Sequence, residues 1–248
     1  MSVLTVLAKR LLTLTPYRVT RNAPNRFEAI ASSLRHLRKL GYEPRRIIDG
    51  GAHLGTFAET ARTIFPEAVI HMIEPQPACR APLETLAAKR GFVFHPYAIS
   101  DTAGTISMVC PRDPSTGAHV VWPIRRSAAP EQAEVEVTAV TLDDLFATTC
   151  QSLERTLLKL DLQGHEMLAL RSASALLPMV EVVLLEVSFF QQIYEPTIPD
   201  LVRFFDEAGF DLFDIVSLSG RSRDDRLRQG DFVFVRRGSA LSADSAWA

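Results

Sequence analysis

The chain has 248 residues, of which 47% are hydrophobic and 23% charged, with a formal net charge of −2. That length and balance support a well-buried core and exclude a disordered chain, and the near-zero charge supplies no global field for nucleic acid. No apolar run approaches the ~20 residues of a membrane-spanning helix. Cys79, Cys110 and Cys150 lack metal spacing and read as reduced thiols, so the expected location is cytoplasmic.

Leu4, Leu7, Leu11 and Leu14 fall at helical spacing. Lys9 and Arg10 interrupt any signal-peptide core. This helix docks on the domain, on a partner or second copy, or on a membrane surface; the pattern leaves the three open. Pro16 and Pro24 punctuate a linker. A second amphipathic helix is predicted from Phe27 to Leu40, with Gly41 at its C-terminal end. Residues 1–44 thus read as a helical extension, 45–237 as the main domain and 238–248 as a frayed tail.

Repeating strand–helix units start at Arg45. A strand over 46–49 ends in Asp49, and a glycine-rich turn opens a helix near 55–65. A strand over 68–73 leads into Glu74 and a helix near 77–90, closed by Gly91. Phe92 to Ile99 reads as a third strand and Thr105 to Cys110 as a fourth. Residues 111–133 hold four prolines and little periodicity, so a long surface loop is expected there. A short strand carries Val135, Val137 and Ala139, and a short helix starts at Leu142. The strand from Thr156 ends in Asp161, followed by Gly164 and a helix from His165 to Leu176. A strand over 180–187 contains Glu186, and a helix spans Pro199 to Ala208. Two strands, Phe210 to Val216 and Asp231 to Val235, are expected to pair antiparallel. The alternation predicts an α/β fold, with a mostly parallel sheet covered on both faces.

Such sheets bind ligands at the carboxyl ends of their strands. Asp49, Glu74, Asp161 and Glu186 all fall near those ends. The first turn, Asp49 to Gly55, reads D-x-G-x-x-x-G. A pyrophosphate binder wants G-x-G-x-x-G, with backbone N–H groups aimed at phosphate. Asp49 would repel phosphate and attract the amino group of a methionine moiety. Gly50 and Gly51 allow a tight turn and close approach, and Gly55 allows close helix packing. Glu74 ends the next strand, where a carboxylate accepts both ribose hydroxyls. The pattern therefore favours S-adenosylmethionine over a nicotinamide cofactor. Lys159, inside an apolar strand, needs an ion-pair partner. Asp143 and Asp144 look like a helix start. Arg125, Arg126 and the Arg221 to Arg228 cluster read as solvated loops or a grip for an anionic acceptor. His71, His95 and His119 lack ligand spacing, and no metal is assigned.

With these residues placed, the chain resembles the FkbM family of S-adenosylmethionine-dependent methyltransferases. The matching runs are Ile48 to Gly55, Ile73 to Pro75, Thr141 to Asp144, Leu158 to Glu166, Leu170 to Ala173 and Leu185 to Glu186. The resemblance spans roughly residues 45 to 236. It implies a class I methyltransferase (Rossmann-like) fold with a seven-stranded sheet, and O-methylation of a sugar, glycan, lipid or secondary-metabolite hydroxyl. The cofactor set becomes Asp49, Gly50, Gly51, His53, Gly55, Glu74, Pro75, Ala98 and Asp161. The candidate catalytic residues are Asp161, His165, Glu166 and Glu186. Two positions depart from the family pattern: His53 stands where Asn is usual, and Gln163 where Glu is frequent.

Each candidate also has a purely structural reading. Glu166 in a first helical turn favours the helix dipole. His165 near the same N-terminus is either a neutral proton acceptor or a satisfied histidine. Glu186 binds substrate or ends a strand. Two other functions compete: an RNA-modifying methyltransferase, for which no basic aromatic face is evident, and a cofactor-binding partner protein without turnover. A dehydrogenase ranks last.

Overall fold

The computed structural model describes residues 25–114, 118–121, 132–146, 155–190, 197–221 and 223–243. The Leu4 to Leu14 helix, Arg125, Arg126, Cys150 and much of the 111–133 loop lie outside the described residues. The chain begins with α1 (Arg26–Lys39), β1 (Arg46–Gly50), α2 (Thr56–Ile64), β2 (Val69–Ile73), α3 (Pro77–Arg90) and β3 (Val93–His95). Next come β4 (Ala98–Ile99), β5 (Gly104–Pro111), β6 (His119–Val120), β7 (Gln132–Val140) and α4 (Leu142–Phe146). The last part holds β8 (Thr156–Leu160), α5 (Glu166–Arg171), β9 (Val180–Ser188), α6 (Ile198–Glu207), β10 (Phe210–Gly220) and β11 (Leu227–Arg236).

The main sheet has seven strands in the order β10-β11-β9-β8-β1-β2-β3. The pairs β1–β2, β1–β8, β2–β3 and β8–β9 are parallel. β11 runs antiparallel to both its neighbours. The chain runs outward from β1 through β3 and then returns to lay β8 on the other side of β1. That reversal opens a crevice at the carboxyl ends of β1 and β8.

Successive strand residues face opposite sides, and the two apolar cores follow this alternation. Ile47, Leu157 and Val182 pack with Leu34 and Leu37 of α1, Ala58 of α2 and Leu83 of α3. Ile48, Leu158 and Val183 pack with Phe146 of α4, Leu170 of α5 and Phe205 of α6. The described part of the N-terminal extension is therefore built into the first core.

Four expectations change. The strand expected from Phe92 to Ile99 is two strands, because Pro96 offers no N–H to a ladder; β3 stays in the main sheet and β4 joins another. That second sheet, in the order β4-β7-β5-β6, was not expected: β6, His119–Val120, and the first two residues of β7 fall inside the stretch read as a surface loop. The helix expected from His165 to Leu176 stops at Arg171, where the Ser172 hydroxyl donates to the Ala169 carbonyl at 2.7 Å. Finally, residues 240–242 of the expected frayed tail form a short 3₁₀ turn with Leu241 buried. Residues 244–248 lie outside the described residues.

Candidate functional site

A cavity of about 360 Å³ opens at the crevice, within the usual size range for small-molecule sites, roughly 300–1,000 Å³. Of the residues singled out in the sequence, Gly51, His53, Glu74, Pro75, Ala98, Lys159, Asp161, Gln163, His165, Glu186 and Arg228 line it. Asp49, Gly50, Gly55 and Glu166 lie behind the wall.

The first turn is pinned from two sides. Gly51 has φ +72°, and a Cβ there would stand 2.0 Å from the Asp161 carbonyl oxygen. Only glycine lets the turns after β1 and β8 touch. The Gly51 and Ala52 N–H groups donate to the Ile73 carbonyl at 3.0 and 3.1 Å. At Gly55, φ +81°, a Cβ would meet Leu86 Cδ2 at 2.3 Å; the crowding there comes from α3 rather than from the helix that Gly55 opens.

Asp49 corrects an expectation. Its side chain is fully buried and pairs with Lys159 Nζ at 2.8 Å. The same ammonium donates to the Gly50 and Gly51 carbonyls at 3.2 and 2.8 Å. Burial works against the Lys159 charge, but Asp49 and Asp161 outweigh it and raise its pKa. Asp49 thus anchors the lysine that braces the glycine turn and does not face the cavity.

Glu74, just beyond β2, is 4% exposed. Its Oε2 accepts the His53 N–H at 2.8 Å and its Oε1 the Gln76 N–H at 3.0 Å. Burial pushes its carboxyl up, while those two donors pull it down. His53 takes a left-handed backbone, φ +50°, to make its bond, and its Nε2 meets the Pro114 carbonyl at 3.0 Å.

The other end of the cavity is acidic. Asp161 Oδ2 bonds Arg26 Nη2 at 2.9 Å, and Oδ1 accepts from Gln163 Nε2 at 2.9 Å. The same Gln163 amide donates to Glu186 Oε2 at 2.9 Å. Glu186 Oε1 accepts from Gln229 at 2.6 Å and lies 3.0 Å from Arg26 Nη2. Arg26 also bonds Asp231 at 2.7 and 2.8 Å. One guanidinium therefore serves three carboxylates. Burial opposes Asp161 ionisation, but Lys159 and Arg26 prevail and hold its pKa below the usual range. Glu186 is pushed up to about 8 by burial and by the neighbouring Asp161.

Glu166 is a second correction. Its carboxylate accepts the Leu162 N–H at 2.7 Å and the Gly164 N–H at 3.0 Å. Burial pushes it up to about 7. It staples the turn in which Gln163 has φ +54°, and so aims the Gln163 amide. His165 stands at the residue before α5 without a side-chain capping bond, and its Nε2 meets the Ser100 hydroxyl at 3.0 Å. Burial lowers the histidine's pKa, against the pull of Asp101.

Sequence reasoning missed Arg26, Gln76, Gln229 and Asp231. Asp231 had a usable signal. In an antiparallel strand an acid before the strand's apolar half lands at the edge where parallel strands end. Arg26 had none, since it lies 135 residues from Asp161 and 205 from Asp231. Among the described residues no group of three or more His, Cys, Asp or Glu is arranged to hold a metal ion, and no helix is long and apolar enough to cross a membrane.

A family model described as the methyltransferase FkbM domain matches residues 49–212. The chain is similar to the solved methyltransferase FkbM of Methylobacillus flagellatus KT, at 13% identity over 76% of this chain and with a TM-score of 0.47. It spans only 43% of that protein's length. It is also similar to magnesium protoporphyrin IX methyltransferase of Synechocystis PCC 6803, solved with bound S-adenosylmethionine, at 10% identity over 94% and 92% of the two chains and a TM-score of 0.48. A third is precorrin-6y C5,15-methyltransferase of Geobacter metallireducens, at 11% identity over 90% and 94% and a TM-score of 0.44. No curated protein matches the chain.

Proposed function

The chain belongs to the FkbM methyltransferase family, and from that premise we propose that it moves a methyl group from S-adenosylmethionine to a hydroxyl of a sugar, glycan, lipid or secondary-metabolite acceptor. Glu74 is the observation that carries this reading. Each of its oxygens accepts one backbone N–H and keeps a second lone pair. A fixed carboxylate of that kind on the cavity wall fits a ribose diol. Asp161, exposed to the cavity where Asp49 is not, fits the amino group of the methionine end.

S-adenosylmethionine, when bound, supplies a methyl already activated on a cationic sulfur. The chain's part is to align the acceptor, keep water out and take the hydroxyl proton. Asp161, held ionised by Lys159 and Arg26, is the cavity-wall carboxylate suited to that last task, and Glu186, pushed up to about 8, joins it only at alkaline pH. His165, neutral through burial, is a third acceptor of protons nearby. Glu166 acts from behind by holding the turn.

Calorimetry with S-adenosylhomocysteine and NADH tests the cofactor, and methyl-labelled S-adenosylmethionine with host extract tests the transfer. We expect saturable binding of the thioether and label in an alkali-stable ether. Tighter NADH binding would overturn the reading. Binding without transfer would favour a partner protein that has lost turnover, and label in RNA would favour a nucleic-acid acceptor.

A further inference from the structure

The turn from β10 into β11 and the start of β11 carry Arg221, Arg223, Arg226 and Arg228. Asp224 takes two of them. Its carboxylate accepts from Arg221 Nε at 2.8 Å and from Arg221 Nη2, and Arg223 Nε lies 3.8 Å away. Arg226 and Arg228 have no carboxylate at ion-pair distance among the described residues, and both are exposed. Each is nonetheless held. Arg226 lies over the Phe190 ring, 4.8 Å from its centroid, and Arg221 over the same ring at 5.3 Å. A stacked guanidinium keeps its N–H groups in its own plane, free for an anion. Arg228 lines the cavity. Its Nε donates to Gln229 Oε1 at 2.8 Å, and Gln229 Nε2 donates to Glu186 Oε1 at 2.6 Å. The Arg228 carbonyl accepts the Phe189 N–H at 2.8 Å, which fastens the residue before Phe190 to the same strand. Arg228 is thus fixed two hydrogen bonds from the acidic end of the cavity.

We propose that the methyl acceptor carries a phosphate group, which Arg226 and Arg228 grip at the cavity mouth while the hydroxyl to be methylated reaches in toward Asp161. The inference rests on the methyl-transfer reading and names the chemistry of its acceptor. Two residues along a strand set side chains about 7 Å apart on one face, a gap that two long guanidinium arms close on one phosphate or diphosphate. Their planar forks suit its oxygens. The carboxylates of Asp161, Glu186 and Asp231 share the one guanidinium of Arg26. An anion entering there is repelled unless other cations meet it, whereas a neutral acceptor would leave Arg226 and Arg228 without a task. One ring and two unpaired cations are enough for a phosphate and fall short of the successive stacked bases that hold an RNA strand.

The test uses the full chain, as wild type and as the double variant Arg226→Gln, Arg228→Gln, with Arg90→Gln at the far end of α3 as control. Calorimetry with inorganic pyrophosphate should show saturable binding to wild type and control, weakened about tenfold or more in the double variant. S-adenosylhomocysteine affinity should stay within about twofold in all three. In host extract with methyl-labelled S-adenosylmethionine, the labelled product should be retained on an anion exchanger and lose that retention after phosphodiesterase and phosphatase. The double variant should label it about tenfold more slowly at limiting extract. Label in the aqueous phase assigns a soluble phosphorylated acceptor and label in chloroform a phospholipid; both support the inference. It is overturned by pyrophosphate that fails to bind or binds the double variant equally, by label in an uncharged compound, by retention that survives both enzymes, by ribonuclease-sensitive label, or by wild-type labelling rates in the double variant. Failure of wild type to bind S-adenosylhomocysteine would instead defeat the methyl-transfer reading, and the pyrophosphate measurement would still report on the two arginines.

Discussion

Asp231 of β11 stands directly across from Glu186 of β9, and a single nitrogen of Arg26 lies 2.7 Å from one carboxylate and 3.0 Å from the other. Opposed like charges destabilise a strand pair. Here a cation from α1 is inserted between them, and Asp161 at the end of β8 completes the cluster. Helix α1 is thereby tied to the acidic end of the cavity.

Replacing Arg26 by Met should cost on the order of 3 kcal/mol, the scale for stranding buried charges, reduced because the Arg26 side chain is 26% exposed. Urea unfolding at pH 8 and pH 6 measures it. The loss should shrink at pH 6, where Glu186, pushed up to about 8, holds its proton and leaves less charge stranded; an unchanged unfolding midpoint at pH 8 would refute the role of the guanidinium.

Glu186 sets a pH dependence. Its pKa is raised from 4.5 to about 8 in the fold, so the folded state holds a proton that the unfolded chain releases between those values. This contribution is complete below about 4.5 and lost as the pH rises through about 8. Glu186→Gln should flatten the fall of stability between pH 6 and 9 by a few kcal/mol. Parallel wild-type and variant curves over that range would contradict it.

Glu74→Ala should weaken S-adenosylhomocysteine binding by roughly 1–3 kcal/mol, the scale for stranded buried hydrogen-bond partners. It should also lower the melting temperature, because the His53 and Gln76 N–H groups lose their acceptor. Calorimetry showing wild-type affinity would end the ribose assignment.

Lys159→Met leaves the Asp49 carboxylate buried without its cation. About 3–5 kcal/mol of stability should be lost. The double variant Asp49→Asn, Lys159→Met should recover part of it. A double-mutant cycle reads the coupling, and additive losses would mean the pair is not a unit.

The strand-end acids and the glycine turn were legible because each is a local pattern: an apolar run, an acid, a turn residue. Glu74, Asp161 and Glu186 reach the cavity for that reason. Asp49 carries the same local signature, yet Lys159 two strand residues before Asp161 takes its charge and closes it off. Register places the lysine there: Asp49 stands opposite Lys159 in the β1–β8 pair, and no spacing along the chain shows which strand becomes the neighbour.

Strand and helix order, the parallel sheet and the chemistry of its carboxyl edge followed from local periodicity, because burial on one or two faces imprints a repeat on the residues that form it. Arg26 meeting Asp231 across 205 residues, and Gln76 turned inward with its oxygen unmatched, came only with packing. A contact between distant segments leaves no repeat in either one, so the polar network that tunes the cavity existed only once the helices and the reversed strand had closed around it.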